Sequence, residues 1–164
     1  MFNLLSKNYH KVNKIKMELE EKDKKILNIL VDNSKLSLRQ IAKKTGVSVA
    51  TAMHHIKKLE KEGVIRNYTA RLDYEKAGYD IEVIIEIRIS KGKLFDVEKK
   101  IAMNPNVFAV YDITGAFDAV VLARFPTRRQ MDIFLKKLQT YEFVERTETK
   151  LILNTIKEEN TFLE

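Results

Sequence analysis

Three observations predict an α+β chain made of two modules with different character. Apolar residues recur at helical spacing before Gly63 and alternate strictly from Ile81 onward, so the period changes along the chain. Each of the five glycines, Gly46, Gly63, Gly78, Gly92 and Gly115, stands where one pattern stops. Charge divides unevenly: residues 1–78 hold 17 Lys plus Arg against 9 Asp plus Glu, a net of +8, while residues 79–164 hold 13 against 14, a net of −1. A basic module joined to a near-neutral one points to a polyanion partner for the first and a separate task for the second. The plainer alternative is a solvated lysine-rich surface.

The first module reads as three helices. Leu19, Ile26, Leu27, Leu30 and Val31 return on helical spacing, with Glu20, Glu21 and Asp23 early, where the helix dipole favours acids. Ser37 precedes Leu38, Ile41 and Ala42 and is followed three residues later by Gln40, the capping-box spacing, which predicts a short helix ending before Gly46. Ser48 can cap a third helix that carries Ala52, Met53, Ile56 and Leu59 and ends at Gly63. Val64 to Tyr79 is β-prone and poor in Gly and Ser, which predicts a strand or hinge, not a loose linker.

In the second module Ile81, Val83, Ile85, Ile87 and Ile89 alternate with Glu82, Ile84, Glu86 and Arg88, a strand pattern. Leu94, Val97 and Ile101 then define a helix, which Asn104-Pro105-Asn106 breaks. Val107 to Ile113 and Ala119 to Phe125 read as strands joined by a Thr114 to Asp118 turn. Thr127 with Gln130 repeats the capping spacing before Met131, Phe134, Leu135 and Leu138, and a last strand is expected from Val144 to Ile156. The order βαββαβ is the ferredoxin-like unit, an antiparallel sheet with both helices on one face. Apolar residues on both phases, such as Ile84 beside Val83 and Ile85, predict that a second copy covers the open face, giving a homodimer.

Composition narrows the function. At 45% hydrophobic and 32% charged residues the chain is expected to fold. The absence of cysteine removes disulfides and thiolate chemistry and fits a cytoplasmic protein. No apolar run approaches the roughly 18 residues of a spanning helix, so no membrane partner is expected. Among the three histidines, adjacent His54 and His55 point about 100° apart on a helix and cannot share a metal ion, and His10 has no triad partners. No phosphate-cradling glycine loop appears, so neither an enzyme nor a cofactor is expected.

Ala42 and the turn at Gly46 give helix-turn-helix spacing, small residue then tight turn, in which the following helix enters a major groove of double-stranded DNA. The expected DNA-facing residues are Ser37 and Arg39 on the shorter helix and Ser48, Ala50, Thr51, His54, His55, Lys57 and Lys58 on the recognition helix. Hydroxyls and lysines can meet phosphates and base edges, while Ala50 and the Thr51 methyl can meet thymine methyls. A plain three-helix core with a lysine face is the competing reading.

Leu19 to Leu27, Ser37 to Ala42, and Gly46-Val47-Ser48 through Val64-Ile65 resemble the Lrp/AsnC, or feast/famine, transcription regulators. Thr114-Gly115-Ala116-Phe117-Asp118 looks like that family's Gly-x-x-Asp turn, and Val144 to Lys157 is similar to its last strand. The resemblance spans about Met17 to Lys157. It implies an N-terminal winged helix-turn-helix domain, a sequence-specific dimeric DNA binder, and, in many members, an amino-acid effector bound between dimers that assemble as far as tetramers or octamers. Residue by residue, it implies effector contacts from Thr114, Gly115, Phe117, Asp118, Thr147 and Thr149. For Gly115 and Asp118 a tight turn and a turn-stabilising carboxylate are the alternatives. The chain departs from the family in having His55 where arginine is frequent and Val49 where proline is frequent.

The expected organisation is a basic extension over residues 1–16, with Met17 a second candidate start; a helix-turn-helix domain over 17–65; a hinge strand or linker over 66–79; and a ferredoxin-like dimerisation and effector domain over 80–158. The expected function is regulation of transcription at roughly palindromic operators. Two rivals stand beside it. RNA binding by the sheet is disfavoured because Thr114, not Lys or Arg, precedes Gly115-Ala116-Phe117. A metabolite-binding assembly protein without specific DNA recognition is the other.

Overall fold

In the computed structural model, residues 17–90 and 92–164 are described; the expected basic extension over residues 1–16 and His10 lie outside them. The chain divides into two compact units, one of residues 17–71 with 157–164, the other of residues 72–156.

The first unit holds α1 (Glu21–Asp32), α2 (Leu38–Thr45) and α3 (Val49–Lys61). Local chemistry sets each boundary. Asp23 reaches back to accept the Glu20 N–H at 3.1 Å. At α2 the Ser37 N–H donates to Gln40 Oε1 at 2.8 Å while the Gln40 N–H donates to Ser37 Oγ at 3.3 Å, the reciprocal cap that the spacing predicts. Gly46 then takes φ 71°, and the Val47 N–H bonds back to the Ala42 carbonyl at 3.1 Å, a Schellman stop that only a residue free of a Cβ penalty adopts cheaply. Ser48 caps α3 by accepting the Thr51 N–H at 3.0 Å. Ile26, Ile41, Ala42, Ala52 and Ile56 form the core, flanked by Ile29, Leu30, Leu36, Val47 and Ile65. Each large aliphatic side chain buried there contributes about 1.5–3 kcal/mol.

The second unit holds β1 (Ile81–Ile89), α4 (Leu94–Ala102), β2 (Val107–Asp112), β3 (Ala119–Phe125), α5 (Arg128–Gln139) and β4 (Val144–Leu151). The strands pair antiparallel in the order β2-β3-β1-β4. Val83, Ile85, Ile87 and Ile89 face Val97 and Ile101 of α4 and Phe134 and Leu138 of α5, so both helices lie on one face. The opposite face carries Ile84, Val120 and Leu122 at its centre, with Tyr111 beside Val120, and ion pairs of Glu82 with Arg124 and Glu86 with Lys150 around them.

Two expectations change. The last strand ends at Leu151, not Ile156, because β1 offers no partner further on: the Ile152 N–H makes a final bond to the Glu82 carbonyl at 2.9 Å, one residue from the start of β1. Residues 64–79 form no strand. Tyr68 is instead tied to α3 by its hydroxyl, which donates to Glu60 at 2.9 Å, and Tyr74 packs on the Arg124 guanidinium, 4.4 Å from ring centroid to Cζ. Among the described residues no helix is long and apolar enough to cross a membrane.

Candidate nucleic-acid interface and effector turn

The two capped helices α2 and α3, separated by the Gly46 turn, leave one connected set of side chains exposed. Ser37 and Arg39 at the start of α2 are exposed, as are Lys43 and Lys44 near its end. On α3 Ser48, Ala50, His54 and Lys57 are exposed and Thr51 is half-buried. The Ser48 and Thr51 hydroxyls stand 2.8 Å apart, so the cap also orients the two groups at the head of the helix. Small, hydroxyl and cationic groups around a helix start, with free N–H groups beneath them, suit phosphates and base edges.

His55 does not belong to that surface. It is only 7% exposed, and its Nδ1 lies 2.6 Å from Oδ1 of Asp23, itself 0% exposed. The physical reason is the helical stripe: His55 stands three residues after Ala52 and four before Leu59, both fully buried, so the ring points inward. Lys58 is also drawn away from solvent. Its Nζ is 3.3 Å from Glu20 and 3.6 Å from Asp23, and the Glu20 hydrogen bond, opposed by some burial and helped by Asp23, raises its pKa. Burial works to raise the Asp23 carboxyl, but the bonds from His55 and the Glu20 N–H, with the Lys58 charge, outweigh it and hold the group below its ordinary value. Sequence patterning contained the signal for this cluster. Asp23 stands three residues before Ile26 and four before Leu27, on the same buried stripe, as His55 does on its own helix.

In the second unit the Thr114 to Asp118 segment closes the β2–β3 hairpin, with the Ile113 N–H bonded to the Asp118 carbonyl at 3.0 Å. Gly115 sits at φ 124°, a conformation that a side chain would strain. Asp118 is already engaged: Oδ2 accepts the Ile89 N–H at 2.8 Å and lies 3.8 Å from Arg88 Nε. Beside the turn is a shallow open depression of 360 Å³ lined by Arg88, Ala116, Phe117, Glu145 and Arg146. The Arg146 guanidinium stands 5.7 Å from the Phe117 ring centroid.

The structure therefore groups the expected effector residues differently from the sequence. Thr147 and Thr149 lie opposite Ile87 and Ile85 in the ladder and share the helix-facing side with them, whereas Arg88 pairs with Arg146 on the other side. Thr114 is exposed at the tip, and Phe117 is half-buried at the edge of the depression. Arg88, Glu145 and Arg146 escaped the sequence reading; their signal was the strand phase, which puts Arg88 on the face away from Ile87 and Ile89.

Comparison with known proteins places this geometry. Residues 19–66 match a winged helix-turn-helix DNA-binding domain and residues 82–162 an Lrp/AsnC ligand binding domain. The chain is 43% identical over 143 residues to an uncharacterized HTH-type transcriptional regulator of Pyrococcus furiosus, covering 87% of this chain and 97% of the relative. It is 36% identical over 144 residues to the HTH-type transcriptional regulator FL11 of Pyrococcus horikoshii, with 88% and 95% covered. A transcriptional regulator of Neisseria meningitidis, solved as its L-methionine complex, superposes with a TM-score of 0.81 at 26% identity, over 90% of this chain and 97% of that one.

Proposed function

Because the chain belongs to the Lrp/AsnC family of transcriptional regulators, binding DNA through its helix-turn-helix domain, we propose that it reads roughly palindromic operators as a homodimer or higher assembly and answers to an amino acid. The observation that carries the first part is α3 itself. Ser48 caps it, Asp23 and His55 fasten its inner side, and Ala50, His54 and Lys57 stand free on its outer side. Two copies related by a twofold axis would present two such helices to successive half-sites about one helical turn apart.

The open sheet face supports the pairing. Ile84, Val120 and Leu122 form an apolar strip with half-exposed Phe108 and Tyr111 beside it, framed by the Glu82–Arg124 and Glu86–Lys150 pairs. An apolar centre with a charged rim suits a self-complementary interface.

The depression at the turn supports the effector. Arg88 and Arg146 offer cations to a ligand carboxylate, Glu145 offers an acceptor to an ammonium, and Phe117 offers an apolar wall. The relative from Neisseria meningitidis holds L-methionine. An amino acid bound here would regulate by binding one assembly or inter-subunit geometry more tightly than another.

The test is selection of the full chain on a randomised duplex pool, followed by sequencing and by repetition with each amino acid present. Enrichment of one motif with twofold symmetry, shifted in affinity or in assembly size by one amino acid, is the expected result. Retention that is salt-sensitive but free of any motif would overturn specific regulation, and indifference to every amino acid would overturn the effector.

A further inference from the structure

The Asp23 carboxylate does more than fill space between two helices. It is fully buried, yet each of its oxygens has a directed partner: Oδ1 meets His55 Nδ1 at 2.6 Å in the middle of α3, and Oδ2 accepts the N–H of Glu20 at 3.1 Å at the head of α1. Lys58, one turn beyond His55, points its Nζ at the same carboxylate from 3.6 Å. One side chain thus fixes the start of α1 and two successive turns of α3. We infer that Asp23 and His55 form a positioning pair that sets the rotation of the recognition helix, so that the seating of Ala50, His54 and Lys57 in the groove depends on the bond beneath them. The inference rests on the reading of α3 as the helix that enters DNA.

The physics favours position over stability as the role of the pair. A buried carboxylate and its partner lose so much solvation that apolar residues of similar volume would hold the two helices at least as firmly. What apolar contacts lack is direction. Ala52, Ile56 and Leu59 would pack nearly as well if α3 turned about its axis by some degrees. A bond of 2.6 Å from a stiff ring to a carboxylate pinned at both oxygens would not survive that rotation. Specific recognition needs this: bidentate contacts with base edges tolerate little misplacement, whereas attraction to phosphates tolerates much.

Among the described residues, few groups surround the Asp23–His55 bond. From α1 come Asp23 and, at its cap, Glu20; from α3 come Lys58 and the His54 ring, 6.1 Å away edge-on; the residues that α2 buries, Ile41 and Ala42, are apolar. A guanidinium, like an imidazole N–H, can donate to a carboxylate. His55→Arg is therefore the variant that keeps a donor toward Asp23.

The experiment compares the full-length wild type with Asp23→Asn, His55→Leu and His55→Arg. Affinity is measured for the duplex chosen by selection and for a scrambled duplex. In parallel, residual dipolar couplings of the α1 and α3 amides report the angle between the helices without any DNA. His55→Leu is expected to lower the ratio of specific to non-specific affinity by about tenfold or more while keeping its affinity for the scrambled duplex. His55→Arg is expected to regain most of that ratio. Asp23→Asn, with the milder change in volume, is expected to reorient α3 in the dipolar couplings. Wild-type ratios in His55→Leu, a ratio in His55→Arg no higher than in His55→Leu, or unchanged couplings in Asp23→Asn would each overturn the inference. If the wild type selects no motif, the regulatory reading fails, and the couplings still decide whether the pair positions the helix.

Discussion

Asp118, in the turn that resembles an effector motif, holds the backbone N–H of Ile89, 29 residues earlier, with its carboxylate oxygen at 2.8 Å. The bond lies where β1 ends, and the Asp118 N–H in turn donates to the Ile87 carbonyl at 2.9 Å, so the turn and the strand close on each other from both sides. A charged acceptor on a backbone donor is worth more than a neutral one. Asp118→Ala is expected to destabilise the sheet unit by about 1–2 kcal/mol, with or without an amino acid, and Asp118→Asn by less, since the amide oxygen still accepts. Urea unfolding followed at the tyrosines checks this. A variant that loses effector response at unchanged stability would show that the carboxylate serves the ligand and not the strand.

Acid should unfasten the recognition helix through Asp23. Its folded pKa lies below its ordinary value near 3.8, so in the interval between the two the unfolded chain binds more protons than the folded one. The group therefore contributes stability that is complete above about pH 5 and disappears as pH falls through the folded pKa. Asp23→Asn should cost the helical unit most near neutrality, and the difference from wild type should shrink below that interval. Hydrogen exchange of the α1 and α3 amides across the acid range measures it. A deficit that is the same at every pH would mean that the carboxylate's charge is irrelevant to the fold.

What could be read from sequence follows the range of the forces involved. The Ser37 and Ser48 caps, the Gly46 stop and the alternation of β1 depend on residues within a turn of each other, and the structure places them where spacing puts them. His55 lies on the inward stripe of its helix, but a polar side chain is ordinarily solvated, and only a partner 32 residues away makes its burial tolerable. Thr147 and Thr149 join the turn in the sequence only through the family resemblance. Which face they occupy is set by register against β1, and a shift of one residue would exchange them with Arg146 and Glu148.

Glu98 on α4 points to a site where removing a charge should help. One of its carboxylate oxygens is buried without a hydrogen-bond partner among the described residues, and burial first, then the nearby Asp112 charge, raises its pKa above the ordinary 4.5. The sign is opposite to that of Asp23. The folded state holds the proton longer, so this group's contribution to stability falls as pH rises through the interval above 4.5. Glu98→Gln is expected to stabilise the sheet unit at neutral pH by a few tenths to about 1 kcal/mol, and by less near pH 4.5, the residue being only partly buried. Urea midpoints at the two pH values check it; a lower midpoint at both would show that Glu98 has a favourable partner in solution.

Lys57 and Lys58 are neighbours in sequence with different prospects on DNA. Lys57 is exposed on the outer side of α3, whereas the Lys58 Nζ is shared between Glu20 at 3.3 Å and Asp23 at 3.6 Å. A lysine that neutralises a phosphate releases a condensed counterion, and each such contact steepens the fall of log K with log salt by about 0.9. A lysine already facing two carboxylates has its charge compensated within the protein, and moving it to a phosphate would leave Asp23 buried with one cation fewer. Lys57→Ala is therefore expected to weaken binding on all duplexes alike and to lower the salt slope by about one contact. Lys58→Ala should leave that slope unchanged and show its effect instead in the thermal stability of the helical unit. Salt titrations by fluorescence anisotropy on one labelled duplex separate the two; an equal loss of slope in both variants would mean that Lys58 leaves its acids on binding DNA, and that the Asp23 cluster is rearranged in the complex.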